Sequence, residues 1–225
     1  PYIAQAYDAK KYAFVSDYAR FDILYQYGGM YFDTDVEVIK PMEEILKQGA
    51  FIGIEKGLTP QLNAGLGIAS EASNLLYREI LDTYQNEYFL NGDGTFNLKT
   101  VVTRVSEIYK KHGFEEKDCM QYRADTTIYP SEYFCPKDYT TGRLCITENT
   151  HTIHHYDGSW VSPESRLMTS LSQKTRNIFG RGTVSEVIIS ILRNTVLRGY
   201  TIRNRIKKNG IKDLARYYIK KYILK

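Results

Sequence analysis

The residues best suited to chemistry concentrate in SDYARFDILYQYGGMYFDTDVEV, Ser16 to Val38. If this segment begins as a helix, Asp17 and Arg20 stand three apart and share a face, presenting a carboxylate beside a guanidinium fork. That combination suits the hydroxyls of a polyol, although the pair alone reads as an ordinary surface ion pair worth under ~1 kcal/mol. Asp33-Thr34-Asp35 ends an apolar strand, and side chains two apart on an extended chain point the same way. Both carboxylates can therefore converge on one hard cation. Two carboxylates leave most of an octahedral shell open, which suits Mg²⁺ or Mn²⁺ bridging a diphosphate better than a closed calcium cage. A bare D-x-D is common as an acidic turn or a solvated edge; its place after a strand and behind Gly28-Gly29 separates this one from the background. The third element is HTIHHYDGSW, His151 to Trp160. Imidazole is a good ligand for Mn²⁺-type metals. Gly158 allows close backbone approach to a phosphate, Ser159 supplies a hydroxyl, and Trp160 supplies an indole N–H or, equally, a core anchor.

The elements that must position these residues read as α/β alternation. Apolar residues at helical spacing run from Ala13 to Tyr27, with Gly28-Gly29 as the stop. An extended run follows over Met30 to Ile39, then a short helix near Met42 to Lys47. Ala50 to Ile54 and Leu66 to Ala69 read as strands, and Ser73 to Tyr88 and Lys99 to His112 as helices flanking the turn-rich Asn91 to Gly94. Short strands are expected at Ile128-Tyr129, Tyr133-Phe134 and Thr152 to Tyr156. With 225 residues, 43% of them hydrophobic, the chain can bury a sizeable core, and its composition excludes a disordered, collagen-like or coiled-coil chain. No apolar run approaches the roughly 18 to 20 residues of a membrane helix, and the first residues lack the apolar core of a secretory signal. Cys119, Cys135 and Cys145 match neither a zinc ribbon nor a redox C-x-x-C and read as reduced core thiols.

Charge divides the chain. Residues 1–161 carry 15 basic and 23 acidic side chains, whereas residues 162–225 carry 15 basic and 3 acidic ones. The expected organisation is an acidic, motif-bearing part over residues 1–161 and a basic, amphipathic helical tail over residues 162–225. In the tail's last helix Ile211, Leu214, Tyr218 and Tyr222 share one face while Lys212, Arg216 and Lys220 line another. Arg193, Arg198, Arg203, Arg205, Lys207 and Lys208 add a polybasic stretch. The pattern is that of an interfacial anchor for an anionic membrane surface; a solvated helical face and nucleic-acid binding are the other readings, and the last is not expected.

The three motifs, in this order, resemble those of glycosyltransferase family 32, sugar transferases with a D-x-D motif. The likeness covers KYAFVSDYARFDILYQYGGMYFDTDVEVIKP, AFIGIE, NAGLGIAS, IYPSEYFCP and HTIHHYDGSW, most of residues 2–161, and the catalytic core of the large glucosylating toxins shares the S-D-x-x-R, Gly-Gly and D-x-D parts. It implies a GT-A fold, Rossmann-like, followed here by a basic helical C-terminal extension. It also implies a nucleotide-sugar donor, a divalent metal that is usually Mn²⁺, a saccharide or lipid-linked saccharide acceptor, and transfer with retention of configuration. By the same likeness Asp17 and Arg20 bind donor-sugar hydroxyls, Asn63 and Gly65 line the donor sugar, and Asp33 and Asp35 serve the ribose and the metal as the catalytic pair. His155 aligns with the metal-binding histidine, His154 being its rival, and Ser159 and Trp160 lie near the diphosphate. Family members usually carry a base-holding segment upstream of S-D-x-x-R, for which this chain starts late. The expected setting is cytoplasmic, peripheral on the inner membrane face. Two other functions fit parts of the pattern: a haloacid dehalogenase-type phosphatase using Asp33 and Asp35, and a sugar-nucleotide-binding module without turnover. A glycosidase does not fit, because neighbours in one D-x-D cannot flank a sugar at the ~5 to 9.5 Å that reaction needs.

Overall fold

The structure, a computed structural model, describes residues 1–57, 59–158, 161–196, 198–199 and 203. Ser159, Trp160 and the expected amphipathic face from Ile211 to Tyr222 lie outside those residues, as do Arg205, Lys207 and Lys208. Contacts divide the chain into two units, one of residues 1–139 with 143–157, the other of residues 140–142 with 158–225.

The first unit is an α/β structure with a mixed sheet, consistent with a Rossmann-like GT-A fold. Its elements run α1 (Tyr2–Asp8), α2 (Tyr12–Tyr27), β1 (Gly29–Tyr31), β2 (Val36–Val38), α3 (Glu43–Leu46), β3 (Ala50–Glu55) and β4 (Gln61–Ser70). They continue with α4 (Leu75–Gln85), α5 (Val101–Lys111), β5 (Gln121–Arg123), β6 (Thr126–Tyr129), α6 (Ser131–Phe134) and β7 (Thr152–His154). Five strands pair in the order β1-β4-β3-β6-β5, with β3 and β6 parallel and the other pairs antiparallel. A separate antiparallel ribbon joins β2 to β7.

Alternation along β3, together with a register irregularity of β4 opposite Ile52 and Gly53, lets one sheet serve two cores. Ile52 and Ile54 of β3 with Leu62 and Ala64 of β4 pack against Phe21, Leu24, Tyr77, Ile80, Val105 and Ile108 from the helices α2, α4 and α5. Phe51 and Leu66 face a smaller cluster with Met42, Ile45, Phe134 and Cys135, against which Tyr156 packs. The tyrosine-rich composition is partly spent in the first cluster, where the buried Arg104 pairs with Glu87 and lies 4.2 Å from the Tyr84 ring centroid. At the end of α2, Gly28 takes φ +65°, and a Cβ there would come within 2.7 Å of the Ala72 nitrogen. Only glycine suits that stop.

Three expected elements differ. The run from Met30 to Ile39 is broken, because residues 33–36 form a turn in which the Val36 N–H bonds the Asp33 carbonyl at 3.1 Å. Tyr133-Phe134 is helical: Pro130 precedes it, and Asp118 accepts from both the Ser131 N–H and the Ser131 hydroxyl at 2.7 Å, starting a helical turn instead of a strand. Of the three cysteines only Cys135 is a core thiol; Cys119 and Cys145 are exposed, and all three are free. The sequence reading also omitted α1 and β5.

The second unit contains α7 (Pro163–Phe179), begun by the Ser162 hydroxyl accepting from the Ser165 N–H and by Pro163 at the first position. Residues 183–196 are helical as well. Asn177 donates to the Thr141 carbonyl at 2.7 Å, tying residues 140–142 to α7. Among the described residues no helix is long and apolar enough to cross a membrane.

Burial pushes the Cys135 thiol up to about 12, against a lowering hydrogen bond from Tyr156. A thiol reagent at neutral pH should therefore modify Cys119 and Cys145 quickly and Cys135 only after unfolding. Mass spectrometry that finds all three labelled at one rate in the native protein would contradict the burial of that cluster.

Candidate functional site

The Asp33-Thr34-Asp35 turn is pinned to the sheet by one bond, the Asp33 N–H donating to the Gly65 carbonyl of β4 at 3.0 Å. The two carboxylates converge because the chain turns between β1 and β2, not because it is extended. Asp35 is held from the other side. Its carbonyl accepts from the His155 N–H at 2.9 Å, and its carboxylate accepts from the Asp157 N–H at 3.0 Å. The β2–β7 register sets Val36 opposite His154, which brings the His154 Nε2 within 3.2 Å of the Asp35 carboxylate.

Asp33, Asp35 and His154 offer ligand atoms that all lie within 4.8 Å of one another. Two carboxylates and an imidazole make a donor set for a divalent cation of the Mn²⁺ or Mg²⁺ kind. The donor set itself carries the fit: the ring nitrogen that faces Asp35 is the His154 Nε2, while the Nδ1 on the other side of the ring is buried with no hydrogen-bond partner. A ring nitrogen so placed costs free energy unless something binds there or the ring turns to use it. His155, by contrast, does not join the aspartates. Its Nε2 is paired with the exposed Glu37 at 2.8 Å. Neighbouring residues leave a strand on opposite faces, so only one of His154 and His155 can face the turn, and the register selects His154.

Gly65 makes the room. A Cβ on it would fall 2.1 Å from the Asp33 Oδ2. Beside it, Asn63 accepts the Gly65 N–H on its Oδ1 at 2.8 Å. Asn63 and Gly65 thus lie on the face of β4 opposite Leu62 and Ala64, adjoining Asp33.

Asp17 and Arg20 meet as the helical spacing predicts, Arg20 Nη2 to Asp17 at 2.9 Å, and the same nitrogen lies 3.2 Å from Asp33. The guanidinium is buried at 4% exposure, its carbon 4.8 Å from the Tyr31 ring centroid, and its Nη1 is buried without a partner. This is no surface ion pair. Burial pushes the Asp17 carboxyl up to about 6, against the pull of Arg20, with Asp33 adding to the rise. At neutral pH it is still mainly ionised. Tyr31 donates to the Asp33 Oδ1 at 2.7 Å, and burial raises its phenol far above the ordinary range, so it remains a donor.

Residues 1–52 match the protein-family model described as the glycosyltransferase sugar-binding region containing the DXD motif. That match supports a glycosyltransferase family and spans α1 through the start of β3, including Asp17, Arg20, Asp33 and Asp35. No curated protein and no solved structure matches the chain.

Sequence reasoning overlooked Tyr31, Glu55 and Tyr156. Tyr31 had a usable signal, since it sits two residues before Asp33. Glu55 had a weaker one as the charged end of the apolar run AFIGI. Tyr156 had none, because its partners are distant in sequence.

Gly65→Ala should displace the Asp33 carboxylate and weaken Mn²⁺ binding on the order of 10-fold or more, as loss of the groups orienting a metal ligand commonly does. Calorimetric titration with Mn²⁺ measures it. Unchanged affinity in a folded variant would remove Asp33 from the metal.

Proposed function

We propose that the chain transfers a hexose from a nucleotide-sugar donor to a saccharide or lipid-linked saccharide acceptor, with a divalent metal and with retention of configuration. The observation that carries this reading is the convergence of Asp33, Asp35 and His154 beside the buried Asp17–Arg20 pair. The family match over the same segment supports it.

In this reading Asp33, Asp35 and His154 hold the cation, which when bound supplies Lewis-acid neutralisation of the charge on a departing nucleoside diphosphate. The chain's own residues do the rest. Arg20 has one free donor, Nη1, and a planar fork already fixed by Asp17, Asp33 and the Tyr31 ring. A sugar hydroxyl placed there gains a charge-assisted hydrogen bond without further ordering of the side chain. Asp17, mainly ionised at pH 7, accepts from a second hydroxyl. Asn63 adds a neutral amide along the sugar's other edge. Because the nucleoside diphosphate leaves as a stabilised anion, no protein acid has to protonate it; in a front-face attack the anomeric bond to the diphosphate breaks to a short-lived oxocarbenium-like pair, the acceptor hydroxyl bonds the anomeric carbon from the same face with retention, and its proton passes to the departing diphosphate oxygen. Isolation of a covalent sugar–enzyme adduct after incubation with donor alone would refute that last step.

The experiment is a donor panel: UDP- and GDP-sugars with the intact chain, with Mn²⁺ or EDTA, recording nucleoside diphosphate release. One donor should turn over, EDTA should stop it, and Asp35→Asn should lower the rate by roughly 10²-fold or more, the usual loss when one preorganised electrostatic stabiliser is removed. EDTA-insensitive release, or full activity in Asp35→Asn, would overturn the reading.

A further inference from the structure

Glu55 closes β3 and is half-buried. Both of its oxygens are engaged. Oε2 accepts from the Asn63 amide nitrogen at 2.9 Å, and Oε1 accepts from the Tyr156 hydroxyl at 3.0 Å. These partners lead to the two sides of the site. Asn63 takes the Gly65 N–H on its Oδ1, and the Gly65 carbonyl takes the Asp33 N–H. The Tyr156 ring lies 4.2 Å, centroid to centroid, from the imidazole of His154, and its hydroxyl lies 2.9 Å from the Cys135 sulfur.

The chemistry of each partner fixes its orientation. A backbone N–H can only donate, so Asn63 must turn its oxygen to Gly65. Its nitrogen then faces Glu55, whose two oxygens both accept. The amide cannot flip without setting an N–H against an N–H and an oxygen against a carboxylate. One Nδ2 hydrogen and one Oδ1 lone pair are left over, a donor and an acceptor side by side. Tyr156 needs holding for a different reason: it adopts φ +59°, a left-handed conformation unfavourable for an aromatic residue. Its bond to Glu55 helps to anchor the ring against the imidazole.

We propose that Glu55 is a positioning residue of this site: through its two oxygens it fixes the Asn63 amide on the sugar side and the Tyr156 ring on the metal side. The role in turnover rests on the transferase reading given above; the hydrogen-bond role does not. Glu55 does not touch the reacting atoms. Each of its two oxygens already accepts from a protein donor, as a positioning role requires.

Glu55→Gln and Glu55→Ala separate these roles. A glutamine can accept from Asn63 with its oxygen and donate to the Tyr156 hydroxyl with its nitrogen, the tyrosine turning its own hydrogen to Cys135. Alanine can do neither. The first readout is the side-chain amide of Asn63 in the metal-free, donor-free protein, followed by NMR with Asn63→Ala for assignment. Its resonances and exchange protection should be kept in Glu55→Gln and lost in Glu55→Ala. The second is Mn²⁺ affinity by calorimetry, expected to fall about 10-fold in Glu55→Ala and to return in Glu55→Gln. The third is donor turnover, where Glu55→Ala should raise KM more than it lowers kcat and Glu55→Gln should restore most of the loss. An Asn63 amide that ignores Glu55→Ala overturns the proposal, as does a Glu55→Gln enzyme as inactive as Glu55→Ala, which would make Glu55 a chemical participant. A wild-type chain that turns over no donor counts against the transferase reading, while the amide and Mn²⁺ measurements still decide the role of Glu55.

Discussion

The antiparallel pairing of Val36–Val38 with Thr152–His154 is the constraint on which the site depends. It joins the aspartate turn, which belongs to the amino-terminal part of the sheet, to a histidine from the far end of the same unit. A slip of one residue would exchange His154 for His155 and carry the imidazole to the opposite face. The register is protected on both sides of the ribbon: Asp35 receives the His155 and Asp157 N–H groups, and the buried Ile153 leaves little freedom to slide.

A second constraint is electrostatic. Asp17, Arg20 and Asp33 form an alternating chain of charge with Arg20 almost fully covered. Removing such charges from water is costly, and their attraction offsets the cost only when the remaining polar atoms are satisfied. Here the Arg20 Nη1 and the His154 Nδ1 are left over. The ion pairs of Arg20 with Asp17 and Asp33, and the Tyr31 hydrogen bond to Asp33, carry that offset. The surrounding tyrosines fit that account. Tyr31 lends Asp33 a hydrogen bond and Arg20 a ring face, so the charged groups are oriented before any ligand arrives.

Much of this was legible in the residues, and for identifiable reasons. Helical spacing predicted the Asp17–Arg20 contact, because three residues on a helix always share a face. The D-x-D was visible as a candidate cation site, although the geometry invoked for it was wrong: a turn pinned by the Gly65 carbonyl does what an extended strand was expected to do. The choice between His154 and His155 was not legible, since alternation says that one of them faces the aspartates and only the long-range register says which. Glu55 and Tyr156 escaped for the same reason, their bond spanning most of the unit. Two thiols were misplaced because an odd set of cysteines carries no periodic signal, and Tyr133-Phe134 because the carboxylate that holds Ser131 at the start of the helical turn, Asp118, lies upstream of the segment itself.

In the proposed function Asp33, Asp35 and His154 hold one divalent cation. Anomalous diffraction from crystals of the chain grown with Mn²⁺ tests it directly. One strong manganese peak is expected in coordination contact with Asp35 and His154 and on the Asp33 side of the turn. A peak on His155 and Glu37 instead, or no ordered manganese near the turn at saturating concentration, would contradict it.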